Sequence, residues 1–265
     1  MIIFDCLCHP TIDQTWNNKF CENSFEKLIN EMDQANIAMA CVVGIAGIGS
    51  FDIEKYFILA NKYKKRLFPI AGLNPNQYSD GQLKDQINTI KKIGYYGIKI
   101  HPRYSKIDLN SDKNKLIKTF NYAADINIPI FLCSYYASNA PYYPSTDPLI
   151  QLSNIVKETP DTKLILLHGG GVRILEYMEF CRFNKNILMD LSLTIMKYSG
   201  SSIDLDLKFL FKNFDQRICI GSDHPEWKLS DFYKKIELLT EGLSSEKINN
   251  ISYKNLSDFL NINPV

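Results

Sequence analysis

The chain carries almost no net charge, only four histidines and two tryptophans, and no long apolar run. Each scarcity excludes something. Thirty Lys and Arg against 29 Asp and Glu leave a net charge of +1, so no overall field draws the protein to nucleic acid or to an anionic membrane. No apolar stretch approaches the ~18 residues of a spanning helix. Nucleotide signatures are missing too: Gly44, Gly47 and Gly49 fall in the order GxxGxG rather than GxGxxG, and neither a P-loop nor a GxSxG elbow occurs. Seven cysteines are an odd number, thinly spread over 265 residues, a length that needs no disulfide staples. Cys6, Cys41 and Cys219 lie in apolar runs, where a thiol behaves as a small hydrophobe. The opening MIIFDCLCHP has an acid at Asp5 and no basic stretch, unlike a secretory signal. The expectation is a reduced, cytoplasmic protein.

What the sequence does have is alternation. Short β-rich runs occur at 2–6, 37–44, 67–73, 96–101, 128–133, 163–168, 186–191 and 217–222. Between them lie segments with the 3.6-residue period of amphipathic helices. Ser24 opens one and Ser111-Asp112 another; a third starts at Ser79-Asp80 and closes with Lys91-Lys92 and Gly94. Strands and helices in this rhythm make βαβ units and a parallel sheet. Eight such units are the count of an α/β (β/α)8 TIM barrel, here one domain over residues 1–265. A doubly wound open sheet is the rival. The long stretch at 134–148, rich in Tyr, Pro and Ser, is expected to be a functional loop over the strand ends. The segment TIDQTWNNKFCEN after the first strand is a candidate second lid.

Strands covered on both faces should be apolar, yet several break this rule near their C-terminal ends. Asp5 and His9 share a face of the first strand, Lys99 and His101 a face of the fourth, and Cys133 ends the fifth. His168 ends the sixth, Asp223 lies just past the eighth, and His224 follows it into the next loop. A single polar residue in such a place is most often a satisfied hydrogen-bonder. Their gathering at one end of the sheet is the signal, because the C-terminal mouth of a barrel is where active sites lie, and His and Asp are metal-ligand types.

Five fragments, DCLCH (5–9), GIKIHP (97–102), LLHGGG (166–171), GSDHP (221–225) and the terminal YKNLSDFLNI (253–262), make the chain resemble the second amidohydrolase family. That family includes the aminocarboxymuconate-semialdehyde decarboxylase type and consists of distorted (β/α)8 barrels, mostly metal-dependent hydrolases. The resemblance implies one divalent metal, expected to be zinc, held by His9, Cys133, His168 and Asp223. Asp223 and His168 would be catalytic. The family's first strand ends D-x-H-x-H, but Leu7 stands at the first of the two histidine positions, and Cys133 stands where a ligand histidine is usual. Zinc accepts a thiolate, and a catalytic site needs only three protein ligands and a water. The opposing reading is a decayed site with Cys133 as core packing.

Lys99, His101, Arg103 and Arg173 are candidate substrate-binding residues. Lys99 is either a cation for a substrate carboxylate or, as the preferred reading, one half of a buried ion pair with Asp5 or Asp223. A carboxylated Lys99 bridging two metals is disfavoured by Leu7. Gly169, Gly170 and Gly171 either bind an anion through bare N–H groups, with Arg173 adding charge, or make a tight turn. Tyr135, Tyr136, Tyr142 and Tyr143 line a pocket or cover the mouth. The leading expectation is a small-molecule hydrolase using a metal-activated water. A metal-assisted decarboxylase and a degenerate barrel retained for binding are the alternatives. The surface helices of such barrels often pair, which leaves a homodimer open.

Overall fold

The computed structural model describes residues 1–136 and 146–263. Eight parallel strands appear where the apolar runs predict them: β1 (Phe4–Cys8), β2 (Met39–Val43), β3 (Leu67–Gly72), β4 (Gly97–Ile100), β5 (Ile130–Cys133), β6 (Leu164–Leu167), β7 (Ile187–Asp190) and β8 (Ile218–Cys219). They are hydrogen-bonded in chain order, which excludes the doubly wound alternative, since that requires a reversal of strand order. Helices follow the strands and cover the outside. Their starts are fixed by side chains satisfying otherwise unpaired N–H groups: Ser24 accepts from Lys27 N, and Asp52 from Lys55 N at 2.7 Å. The helix Asp80–Ile93 ends at Gly94, whose φ of 111° suits glycine alone among common residues. Among the described residues no helix is long and apolar enough to cross a membrane.

Alternation along the strands divides the core into two parts. Cys6, Cys41, Ile70, Phe131, Ile165, Leu188 and Cys219 fill the barrel interior, and a larger cluster packs the strands against the helices. Cys6, Cys41 and Cys219 are free and buried, as expected.

β8 is shorter than the predicted 217–222, and its continuation shows why. Beyond Cys219 the chain leaves β7 and turns to β1. Cys6 N donates to Ile220 O at 2.9 Å, Asp223 N to Leu7 O at 3.0 Å, and His9 N to His224 O at 2.7 Å. These bonds close the barrel. The β1 ladder is irregular between Asp5 and Cys8, and the Asp5 carboxylate repairs the gap: Oδ1 accepts from Leu7 N at 3.0 Å and from Ser222 N at 2.9 Å. Asp5 is therefore a seam residue. It is not the partner of Lys99, which corrects one of the two ion pairs expected for that lysine.

Burial raises the Asp5 carboxyl from 3.8 to about 6, against the lowering effect of its bonds to Ser222 and Leu7. A raised carboxyl stabilises the fold most when protonated, so this contribution is complete below pH 3.8 and is lost as pH climbs through about 6. That displacement corresponds to about 3 kcal/mol. Asn at this position can accept both seam bonds without carrying charge. Urea unfolding of Asp5→Asn at about pH 4 and 7 should therefore show a smaller loss of stability with rising pH than wild type, by up to about 3 kcal/mol. Equal pH dependence in the two proteins would refute this account of Asp5.

Candidate active site

The strand ends converge as the sequence predicts. His9 follows β1, and its ring is oriented from both sides: Nδ1 lies 2.6 Å from Val43 O, and Trp16 stacks on it at 5.1 Å with a 20° interplanar angle. A carbonyl only accepts, so Nδ1 carries a proton and Nε2 faces the mouth. There Nε2 lies 3.5 Å from Asp223 Oδ1. Across the mouth, the His168 ring is held by Ser192, whose carbonyl oxygen and Oγ both lie 3.1 Å from Nδ1. Ser192 Oγ donates in turn to Asp190 Oδ2, and that oxygen also takes the His168 backbone N–H at 3.3 Å.

Both His168 and Asp223 adopt left-handed backbone, with φ of 70° and 58°. This region costs non-glycine residues about 1–2 kcal/mol and persists only where surroundings dictate it. Asp190 supplies that constraint for His168, and the Leu7 carbonyl supplies it for Asp223.

Cys133, at the end of β5, interacts with both His101 and His168. Burial pushes its thiol up, but these two imidazoles outweigh burial and hold it well below the ordinary thiol range. For His168, burial works against the charged form, and Cys133 and Asp223 more than offset it, so the imidazole is raised. Burial dominates at His101 and lowers it. Asp223 would also be raised by burial, but His9, His168 and Lys99 bring it to about 2. The mouth thus holds an ionised carboxylate and a thiolate-favouring cysteine beside an imidazole displaced toward its charged form.

Lys99 sits beneath them, only 1% exposed. Neither expected ion pair forms. Asp5 serves the seam, Asp223 faces His9, and Nζ has no hydrogen-bond partner. Arg103 lies over the ring of Tyr135, 5.1 Å from its centroid, and Lys197 approaches the same ring at 5.9 Å. Tyr135 meets His168 edge-on at 6.4 Å. Arg173 does not join this group. Asp147 grips it through two bonds of 3.0 and 2.8 Å, and Glu176 is a second partner, so its charge is compensated. The glycines form the tight turn. Gly170 N–H is engaged by Ser134 Oγ at 3.0 Å, and a Cβ at Gly170 would lie 2.1 Å from the Tyr177 ring. His224 points away and has Glu31 3.5 Å from Nδ1. Tyr142 and Tyr143 lie outside the described residues.

The expected lid after β1 is a hairpin, Thr15–Trp16 against Lys19–Phe20. Trp16 Nε1 and Asn17 Nδ2 donate to Glu226 Oε1 at 2.6 and 2.9 Å, and Tyr104 OH donates to Asn17 Oδ1 at 3.1 Å. Loops following β1, β4 and β8 are thereby tied together. Sequence reasoning passed over Trp16, Asp190 and Ser192. Asp190 bears the same mark as His168, a polar side chain ending an apolar strand.

The amidohydrolase family model Amidohydro_2 matches residues 18–260. The chain belongs to the amidohydrolase family. A search of curated proteins finds no match. Among solved structures, an uncharacterised TIM-barrel protein from Bordetella bronchiseptica superposes with a TM-score of 0.78 at 16% identity, over 98% of this chain and 99% of that one. A probable 2-pyrone-4,6-dicarboxylic acid hydrolase from Acinetobacter baumannii with citric acid bound gives 0.72 at 16%, over 99% and 100%. The 5-carboxyvanillate decarboxylase of Sphingomonas paucimobilis gives 0.67 at 12%, over 98% and 99%. Identities this low speak for the shared barrel.

The family is typically metal-dependent, which raises the question of whether these residues suit an ion. Three donors must converge to hold one. His9 and Asp223 approach each other, and Cys133 approaches His168. Yet no three of His9, Cys133, His168 and Asp223 bring donor atoms within 4.8 Å of one another. Leu7, fully buried, offers nothing. The expected four-ligand zinc set is therefore not assembled. The one such trio among the described residues is Cys6, Asp190 and Cys219, within the barrel core.

The state of Cys133 can be read directly. Its rate of reaction with methyl methanethiosulfonate should climb far less steeply with pH than that of an ordinary thiol, because His101 and His168 favour the thiolate. Cys21, which burial raises, should react about tenfold faster per pH unit. His168→Ala should restore a climbing profile at Cys133. A wild-type Cys133 rate that climbs like that of Cys21 would contradict the assignment.

Proposed function

We propose that this barrel is a small-molecule hydrolase acting on a carboxylated ester, lactone or amide by acid–base chemistry. The observation that carries the reading is the opposite perturbation of two groups at one mouth: His168 is pushed toward its protonated form while Asp223 is held ionised at about 2. Environments that drive two titratable groups apart define acid and base sides of a reaction.

His168, displaced toward its protonated form and with Nδ1 fixed on Ser192, is the acid. It donates first toward the substrate carbonyl oxygen and then to the leaving group. His9 and Asp223 form the base side. A water on the open side of this pair gives its proton to His9 Nε2, and Asp223 Oδ1, 3.5 Å from that nitrogen, stabilises the resulting imidazolium. The Val43 carbonyl on Nδ1 orients the ring, and the carboxylate stabilises positive charge on the histidine that takes the proton. The water oxygen bonds to the acyl carbon, and the acyl–oxygen or acyl–nitrogen bond breaks as His168 protonates the departing atom. His101 and Arg103 supply hydrogen-bonding and cationic character for a substrate carboxylate. The carboxylic acid named for the Acinetobacter hydrolase, and the citric acid bound to it, support an anionic substrate here.

The test is a panel of carboxylated lactones, esters and amides. Hydrolysis should fall about 10²- to 10⁴-fold in His168→Ala and Asp223→Asn, with circular dichroism unchanged. Release of carbon dioxide from carboxylated aromatics, with no hydrolysis, would reassign the mouth to a decarboxylase. Ligands bound and returned unchanged would make it a binding protein.

A further inference from the structure

Lys99 is among the largest fully buried side chains of the protein. It belongs to the barrel layer in which Gly72, Lys99 and Phe131 are neighbours across β3, β4 and β5, one residue pair below His101 and Cys133. Its Nζ has neither a hydrogen bond nor an ion pair among the described residues. A lone ammonium in a dry interior is very costly unless anionic groups surround it. Burial lowers Lys99 from its ordinary value, and Cys133, Asp223 and Asp190 work against that loss of charge. Asp190 Oδ1 is itself buried and without a hydrogen bond. In return Lys99 helps to hold Asp223 ionised and works against charge on His101 and His168. One cation therefore acts on every group at the mouth except His9.

The donors tell the same story from the other side. Leu7 removes one ligand, and no three of the remaining candidates converge. A divalent ion placed among Cys133 and Asp223 would face an ammonium from below, with like-charge repulsion in a poorly screened interior. We propose that the Lys99 ammonium is the resident cation of this barrel, supplying to Asp223 and Cys133 the positive charge that a metal ion supplies in metal-dependent relatives. The inference rests on reading this mouth as the active site, and not on which bond the enzyme cleaves. Lys99 is a positioning residue in this scheme: it acts through the groups above it.

Zinc binding tests this without any substrate. Protein purified without chelator, dialysed against zinc and then against metal-free buffer, should retain less than about 0.1 zinc per chain. In competition with a chromogenic chelator, Lys99→Met, which keeps bulk and removes charge, should bind zinc at least about tenfold more tightly than wild type. Lys99→Ala should do the same, and adding Asp223→Asn should abolish the gain. Near-ultraviolet circular dichroism reports whether each variant keeps its packing, and the wild-type measurement stands even if none does. Wild-type protein retaining about one zinc per chain, lost in Asp223→Asn, would overturn the proposal. So would folded Lys99 variants that bind zinc no better than wild type. Because the readout is metal and not turnover, its failure is separable from failure of the hydrolase reading, which the substrate panel decides.

Discussion

Asp5 accepts hydrogen bonds from backbone N–H groups on both sides of the barrel seam, and that double acceptance sets where His9 and Asp223 stand. The two residues come from opposite ends of the barrel sequence, yet each lies a few bonds from the same carboxylate. Leu7, whose N–H Asp5 holds, offers its carbonyl to Asp223 N; His9 N in turn donates to His224 O. The strand irregularity that Asp5 bridges is thus what turns His9 into the mouth. A regular ladder would keep strict alternation and place these side chains differently. The price is a carboxylate deep in the fold, raised to about 6.

Above the seam, the mouth is organised by alternating charge. The carboxylate of Asp223, the cysteine at 133 and the carboxylate of Asp190 alternate with His168 and Lys99, and every one of them is buried. Burial alone would neutralise each group. Their mutual neighbourhood does the opposite for Asp223 and Cys133. Such an arrangement is rigid by necessity, since withdrawing one member leaves its neighbours uncompensated. Backbone bonds lock His168 and Asp223 in left-handed conformations, so both side chains are oriented before any ligand arrives.

Much of this was legible in the sequence because it depends on local periodicity. Eight apolar runs spaced by amphipathic segments became eight strands, and His9, His168 and Asp223 stood out as polar residues ending apolar strands. What was not legible depends on partners distant along the chain. The ion pair expected for Lys99 failed because backbone N–H groups at the seam claim Asp5 and His9 claims Asp223, and spacing announces neither. Arg173 looked available for substrate, but Asp147, 26 residues earlier, takes its charge. The anion reading of Gly170 failed on a single hydroxyl, that of Ser134 on the neighbouring strand end. The convergence of metal donors is likewise a matter of ångströms: residue types in the right order specify candidates, not a coordination sphere.

The hairpin over β1 has a consequence of another kind. Trp16 is one of two tryptophans in the chain, and it stacks on His9 while its indole N–H is tied to Glu226. The other, Trp227, follows Glu226 directly. Trp16 therefore reports on the His9 side of the mouth, and excitation at the red edge of indole absorption leaves the 15 tyrosines silent. Intrinsic emission is then a local optical probe: a molecule that enters and disturbs the stacked Trp16 and His9 rings alters the signal with no label attached. A barrel whose substrate has yet to be chosen from many can be screened by its own light.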